Sequence, residues 1–203
     1  MRLIWECINF FRSIPAIWMY TTVPCRNDIR ADLMRKKYIN ADAGSWMDLH
    51  RTLLYSREFR NLFYYRTKAC APFLTKVSKV LYSVDRNFGI DAESIGPGLA
   101  IYHGNSSIVF AKTIGKNFNV YQQVTVGRGK MVDGNNLPII GDNVSVYAGA
   151  IVVGGIRIGN NVSIGAGAVV TKDVPDNTTV VGAPVRMIPK QMEGSCPCQS
   201  TIP

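Results

Sequence analysis

The chain has 203 residues, with 23 Lys and Arg against 14 Asp and Glu and a formal net charge of +9, a length that suits one domain or a small domain joined to an elongated one. Five cysteines, odd in number and scattered at Cys7, Cys25, Cys70, Cys196 and Cys198, argue against a disulfide framework and fit a reducing cytoplasm. Residues 1–90 hold fifteen basic against seven acidic side chains and residues 91–203 eight against seven, an asymmetry that favours an anionic partner; no nucleic-acid-binding motif accompanies it, so no nucleic acid is expected.

The first twenty residues, MRLIWECINFFRSIPAIWMY, are apolar but interrupted by Arg2, Glu6, Arg12 and Pro15. A spanning helix needs about 20 mainly apolar residues, and a secretory signal an unbroken apolar run of about 7–15. The segment therefore reads as a helix packed on a partner surface, with peripheral membrane contact as the alternative. Residues 26–86 also read as helical. Asp28 is placed to cap a helix that uses Ile29 and Leu33, and Ser45-Trp46-Met47-Asp48 has the form of a capping box ahead of Leu49, Leu53 and Leu54. Phe59, Leu62, Phe63 and Arg66 continue at helical spacing, and a further helix after Pro72 uses Phe73, Leu74, Val77, Val80, Leu81 and Val84. His50 falls inside the second of these helices as a surface or packing histidine. Residues 1–88 thus form a helical N-terminal domain.

Near Gly89 the period changes. Ile95, Ile101, Ile108, Ile114, Val120 and Val126 recur every six residues with one seven-residue step, and Ile140, Val146, Val152, Ile158, Ile164 and Val170 recur without a break. A six-residue beat is the signature of a parallel β-helix, in which three units close one triangular coil and each sends one aliphatic residue inward. Twelve units predict about four coils over residues 89–190, followed by a tail at 191–203. Residues 127–139, GRGKMVDGNNLPI, break the beat and read as a protruding loop. In the tail, Cys196 and Cys198 form a lone Cys-Pro-Cys that lacks the further ligands a zinc site needs.

Stacking three units per turn places Ile101 beside Val120, Val146 and Ile164, so His103, Gln122, Ala148 and Ala166 form one outer column. His103 is the only histidine of the repeat region and sits in the irregular stretch His103-Gly104-Asn105-Ser106-Ser107. An imidazole with an ordinary pKa of about 6.5 serves as a general base near neutrality. One histidine does not make a metal site, and no metal is expected.

Three stretches, IGPGLAIYHGNSSIVF, NVYQQVTVGRGK and IGDNVSVYAGAIVVGGIRIGNNVSIGAGAVVTKDVPDNTTVVGAPVRMI, resemble the catalytic region of serine O-acetyltransferases and their relatives in polysaccharide gene clusters. EFRNLFYYR at Glu58–Arg66 is similar to that family's N-terminal region. The resemblance implies a left-handed parallel β-helix behind the helical domain, a homotrimer or dimer of trimers, and acetyl-CoA as cosubstrate bound between neighbouring coils. It implies that His103 is catalytic, that Gln122, Gly127, Ala148 and Ala166 lie along CoA, and that Lys172 and Arg186 lie near its phosphates. Asp91 is the nearest candidate to orient His103, with Glu93 or a backbone carbonyl as substitutes.

Where serine enzymes place an aspartate before the histidine and an Arg-His pair in the protruding loop, this chain has Tyr102 and Asn136-Leu137. Losing both charges removes the paired recognition a free amino acid needs. Tyr102 and Asn136 are therefore candidate contacts for a different acceptor, a sugar hydroxyl of a surface-polysaccharide precursor. Serine itself remains the alternative, and a non-catalytic β-helix scaffold that binds an acidic partner is the second.

Overall fold

The computed structural model describes residues 2–35, 45–182 and 186–189; Cys196, Cys198 and the tail lie outside them. Five helices come first: α1 Arg2–Thr22, α2 Arg26–Met34, α3 Trp46–Tyr55, α4 Arg57–Thr67 and α5 Pro72–Leu81. The capping box at Ser45 is present, with Asp48 N donating to Ser45 Oγ and Ser45 N donating back to the Asp48 carboxylate. Asp28 does not cap α2. It lies inside the first turn, where its charge complements the helix dipole, and Cys25 occupies the N-cap. Ser56 ends α3 and caps α4 by accepting from Phe59 N, so the continuous spacing from Trp46 to Arg66 resolves into two helices.

His50 is a packing residue. It is buried, with Ser13 Oγ 2.7 Å from Nδ1 and the Glu6 carbonyl 3.2 Å from Nε2. Burial holds its pKa below the ordinary histidine value. The expected apolar face of α5 is only partly inward: Leu74 and Leu81 pack against the core beside buried Thr75 and Ser78, while Phe73 and Val80 are exposed.

Thirteen short strands follow: β1 Phe88–Ile95, β2 Ala100–Ile101, β3 Ser107–Ile114, β4 Asn119–Val120, β5 Thr125–Gly127, β6 Ile139–Ile140, β7 Ser145–Val146, β8 Ile151–Val153, β9 Arg157–Ile158, β10 Ser163–Ile164, β11 Val169–Val170, β12 Thr178–Val181 and β13 Arg186–Pro189. All pairings are parallel except β12 with β13 and one isolated bridge in the loop. The registers stack three inward columns. One is Ile101, Val120, Val146, Ile164 and Val180; the second is Ile90, Val109, Val126, Val152 and Val170; the third is Ile95, Ile114, Ile140, Ile158 and Val174.

The chain therefore makes about five coils where about four are expected. Ile90 opens the second column on β1, and Val174 and Val180 complete a last turn with a short corner between Val170 and Val174. The irregular step is also placed differently. Val109 is fully buried and Ile108 is 48% exposed, so the inward positions run from Ile101 to Val109 to Ile114. Both residues are aliphatic, and the bulge shifts the strand's alternation by one position.

The third corner is held by polar ladders. Asn117, Asn143, Asn161 and Asn177, all at φ between 53° and 56°, pass amide hydrogen bonds from coil to coil at 2.9, 3.0 and 3.0 Å. Asparagine tolerates the left-handed turn and fills the corner with its own donor and acceptor.

The helical domain closes the first coil. From α4, Asn61 donates to the Phe88 carbonyl, Tyr65 to Ala92 and Arg66 to Ile95 and Gly96. These bonds satisfy carbonyls of β1 and of Gly96 just beyond it; among the described residues β1 is an edge strand paired with β3 alone. Buried Arg66 also grips Asp32 of α2 through Nε and Nη2 at 3.0 and 3.2 Å, and Asp32 Oδ1 accepts from the Gly98 and Leu99 amides at 2.9 and 2.8 Å. A single ion pair thereby fixes α2, α4 and the entry to β2.

Candidate active site

β2 delivers Tyr102 and His103 to the first corner of the first coil. His103 adopts φ 53°, a left-handed conformation uncommon for a residue with a Cβ, and Ser106 follows at φ 55°. The turn closes on itself, with Asn105 N donating to the His103 carbonyl at 2.6 Å and Ser107 N to Asn87 O at 3.1 Å. Gly104 is buried in this turn because a Cβ there would meet Ile101, Phe88 and Glu58 at 2.7, 3.0 and 3.4 Å. His103 is exposed, with no side-chain hydrogen bond among the described residues. It is free to meet a substrate hydroxyl.

The expected column is present. Only its later members stack as expected, however: the pairing of Ile101 with Val120, Val146 and Ile164 continues into a rung in which Gln123 N donates to Asn105 O, Gly149 N to Gln122 O and Gly167 N to Ala148 O, so Asn105, Gln122, Ala148 and Ala166 share the column and His103 stands in the bulge just ahead of it; strands of adjacent coils lie about 4.8 Å apart. Gln122 Oε1 is buried and has no hydrogen-bond partner among the described residues. An orphaned acceptor of this kind calls for a donor from a bound molecule. Ala148 and Ala166 leave the corner shallow, and Gly167 beside them has nothing within 4 Å of where a Cβ would stand.

One residue earlier in each coil stands a feature that the sequence reading missed. Tyr102 and Tyr121 stack at 4.8 Å between ring centroids, and Tyr121 and Tyr147 follow at 4.9 Å. Loss of solvation and the adjacent phenols raise the pKa of Tyr121. The signal was available, because each tyrosine directly follows an inward residue of the first column.

The remaining candidates lie elsewhere on the chain. Gly127 pairs with Val153 at the second corner, where nothing lies within 4 Å of its missing side chain. Lys172, exposed, occupies the same corner two residues beyond Val170. Arg186 faces Val181 across the β12–β13 pair, at the far end of the first column's sheet. Asn136 lies in the protruding segment, which folds back as a hairpin: Gly129 N donates to Asn136 O, Val132 and Asn135 exchange backbone bonds, and Asp133-Gly134 turn at φ 49° and 75°. That pair of positive φ values is the type I′ turn of a two-residue hairpin. The hairpin tip closes over Gly155, whose added Cβ would lie 2.0 Å from Asn135 O.

Asp91 is a correction. Its side chain is 66% exposed and accepts from Lys68 Nζ at 2.8 Å, and no hydrogen bond links it to His103. Its register partner on β3 is Phe110, so it belongs to a different face of the coil. Glu93 is likewise exposed on β1. The carboxylate-bearing residue that packs against the His103 turn is Glu58, through the contact with Gly104.

The stacked hexapeptide coils and their register define a hexapeptide-repeat protein. A family model described as "Bacterial transferase hexapeptide (six repeats)" matches residues 138–172. The chain is similar to serine acetyltransferases, as its motifs lead one to expect. It is 36% identical over 131 residues to the serine acetyltransferase of a Staphylococcus epidermidis strain, a match that covers 64% of this chain and 60% of the relative. The crystal structure of Neisseria gonorrhoeae serine acetyltransferase aligns with a TM-score of 0.60 at 27% identity, over 87% of this chain and 69% of that one. A serine acetyltransferase in complex with CoA aligns with a TM-score of 0.56 at 25% identity, over 83% and 72% of the two chains. The chain thus spans about 60% of the length of that curated relative.

Proposed function

We propose that this protein is an acetyl-CoA-dependent O-acetyltransferase that transfers acetyl directly to a hydroxyl, with a sugar of a surface-polysaccharide precursor as acceptor. The observation that carries the reading is the exposed, left-handed His103 in the bulge of the first corner, the corner whose later coils hold the orphaned Gln122 oxygen and two alanines. Acetyl-CoA supplies an acetyl thioester, and the corner fits it: Gln122 Oε1 accepts an amide N–H of the pantetheine arm, while Ala148 and Ala166 leave room for its length. His103 takes the acceptor's proton as the new oxygen–carbon bond forms and the carbon–sulfur bond breaks. The imidazolium then returns that proton to the departing thiol. The chain's own groups hold and move one proton, and no acyl-enzyme is needed.

Gly127, Asn136 and Lys172 lie one corner away from His103 within one chain, and a homotrimer is the arrangement in which two corners from neighbouring copies could form one site. Tyr102, backed by Tyr121, replaces a charge with an aromatic surface beside the base. Such a surface suits the apolar face of a sugar ring and gives an ammonium group no carboxylate. Serine is the second reading, favoured by the names of the relatives.

The test is thiol release from acetyl-CoA with L-serine and with sugar acceptors. Expected are slow release with serine, fast release with a sugar, and loss of at least about 100-fold on His103→Ala. Rapid turnover of serine assigns the second reading. Unchanged turnover by His103→Ala refutes both.

A further inference from the structure

The first helix has apolar residues on both sides: Ala16, Met19 and Tyr20 enter the core, and a second apolar arc faces away from it. The side chains that α1 turns toward α3 and α5 include Glu6, Asn9 and Ser13, all buried. Glu6 holds Arg51 at 3.0 Å, and Ser13 sits between His50 and Tyr82 at 2.7 and 2.8 Å. The opposite arc, at helical spacing, is Leu3, Ile4, Ile8, Phe11, Ile14 and Trp18. Every one of them is exposed, Ile8 by 65% and Phe11 by 75%, and no charged residue interrupts the arc. α5 runs antiparallel beside it, since Arg12 lies over the Tyr82 ring and Thr75 meets Met19. It also leaves large apolar side chains outside, with Phe73 exposed by 75% and Val80 by 85%.

An apolar face of this size on a soluble surface marks a docking site. Its surroundings say what docks. The helical half carries eight more basic than acidic residues, and Lys76 stands between Phe73 and Val80 on the exposed side of α5. A second copy set against this face would bring two strongly basic domains together, whereas anionic headgroups would neutralise them. Trp5 and Trp18 are exposed near the two ends of α1, and tryptophan is the side chain that settles at a lipid–water boundary.

We propose that α1 lies flat in the surface of an anionic bilayer, with Ile8, Phe11, Ile14 and Trp18 among the outer acyl carbons and the surrounding Lys and Arg on the headgroups. None of the described helices is long and apolar enough to cross a membrane. The bonds of Glu6 and Ser13 to the rest of the domain, and that of Tyr82 Oη to the Asn9 carbonyl, hold α1 along the surface rather than through it. The proposal stands apart from the acetyl-transfer reading and is tested without it.

The full chain is centrifuged with vesicles that contain phosphatidylglycerol and with vesicles of phosphatidylcholine alone. Expected are partition onto the anionic vesicles, a fall with added salt, and a blue shift of tryptophan emission. Phe11→Glu and Ile8→Glu should each weaken partition by about tenfold or more. The milder Ile14→Ser, with far-ultraviolet circular dichroism on all variants, separates lost binding from lost folding. Failure to partition, or partition that Phe11→Glu leaves unchanged with folding intact, overturns the proposal. So does an assembly that Phe11→Glu splits into smaller species while vesicles bind neither form, because the face then covers a second copy.

Discussion

Replacing Arg66 by Met removes the cation of the buried clamp while keeping most of the side chain's volume. The guanidinium gives two hydrogen bonds to Asp32, one of 2.7 Å to Gly96 O and one to Ile95 O. Breaking a buried pair by deleting one partner costs about 3–5 kcal/mol, since the other charge stays buried. Against a total stability of about 5–15 kcal/mol, that is a large share. The direction with pH follows from Asp32, whose carboxyl burial pushes up to about 6 against the opposing pull of Arg66 and of the Leu99 and Gly98 amides. Without the guanidinium it rises further. A group whose folded pKa is raised contributes stability at low pH and loses it as pH climbs, so the penalty should shrink between pH 8 and pH 5.5 as the orphaned carboxylate takes a proton. Urea titrations at both pH values measure this, and Asp32→Asn in the same chain should recover part of the loss. A penalty below about 1 kcal/mol, or one equal at both pH values, would refute the account of the clamp.

Three further outcomes follow from the structure. His50 is the opposite case, since a histidine with a depressed folded pKa contributes stability above the ordinary value of 6.5 that is lost as pH falls below it; the melting temperature of wild type relative to His50→Gln should drop between pH 7.5 and 5.5, and parallel curves would contradict this. Asp91→Asn should change kcat by less than about twofold, because an exposed pair such as Asp91–Lys68 contributes little; a loss of 100-fold would restore it as the orienting group. Gly115→Ala brings a Cβ to 2.5 Å from the Gly141 backbone and should cost about 1–3 kcal/mol, whereas Gly127→Ala meets nothing within 4 Å. The second variant should keep its melting temperature and raise the KM for acetyl-CoA, and an unchanged KM would remove Gly127 from the binding surface.

The sequence makes the β-helix and its first column legible because a coil's contacts are periodic, so a constant spacing in the chain becomes a constant position in space. Counting alone stacks Gln122, Ala148 and Ala166, whereas the bulge moves His103 off their column and sets Asn105 in it. What counting misses is contact between distant elements. Asp91 meets Lys68 because α4 lies along β1, and nothing near either residue announces that pairing. The choice of Val109 over Ile108 depends on how the bulge at His103 folds, which two neighbouring aliphatic residues leave ambiguous. The exposed apolar arcs of α1 and α5 were hidden for another reason: hydropathy marks apolar residues on both sides of these helices but does not say which side faces the domain, where Met19, Tyr20 and Leu74 pack beside buried Ser13, Thr75 and Ser78.

The covering of β1 by α4 has a consequence for assembly. Stacked coils of identical spacing are an open series, and an uncovered terminal rung is a template onto which another chain can add. Asn61, Tyr65 and Arg66 occupy carbonyls that such an addition would use. A truncated chain beginning near Phe88 would therefore be prone to end-to-end filament growth, so the helical domain acts as a stopper that ends the solenoid as well as carrying the face turned toward lipid.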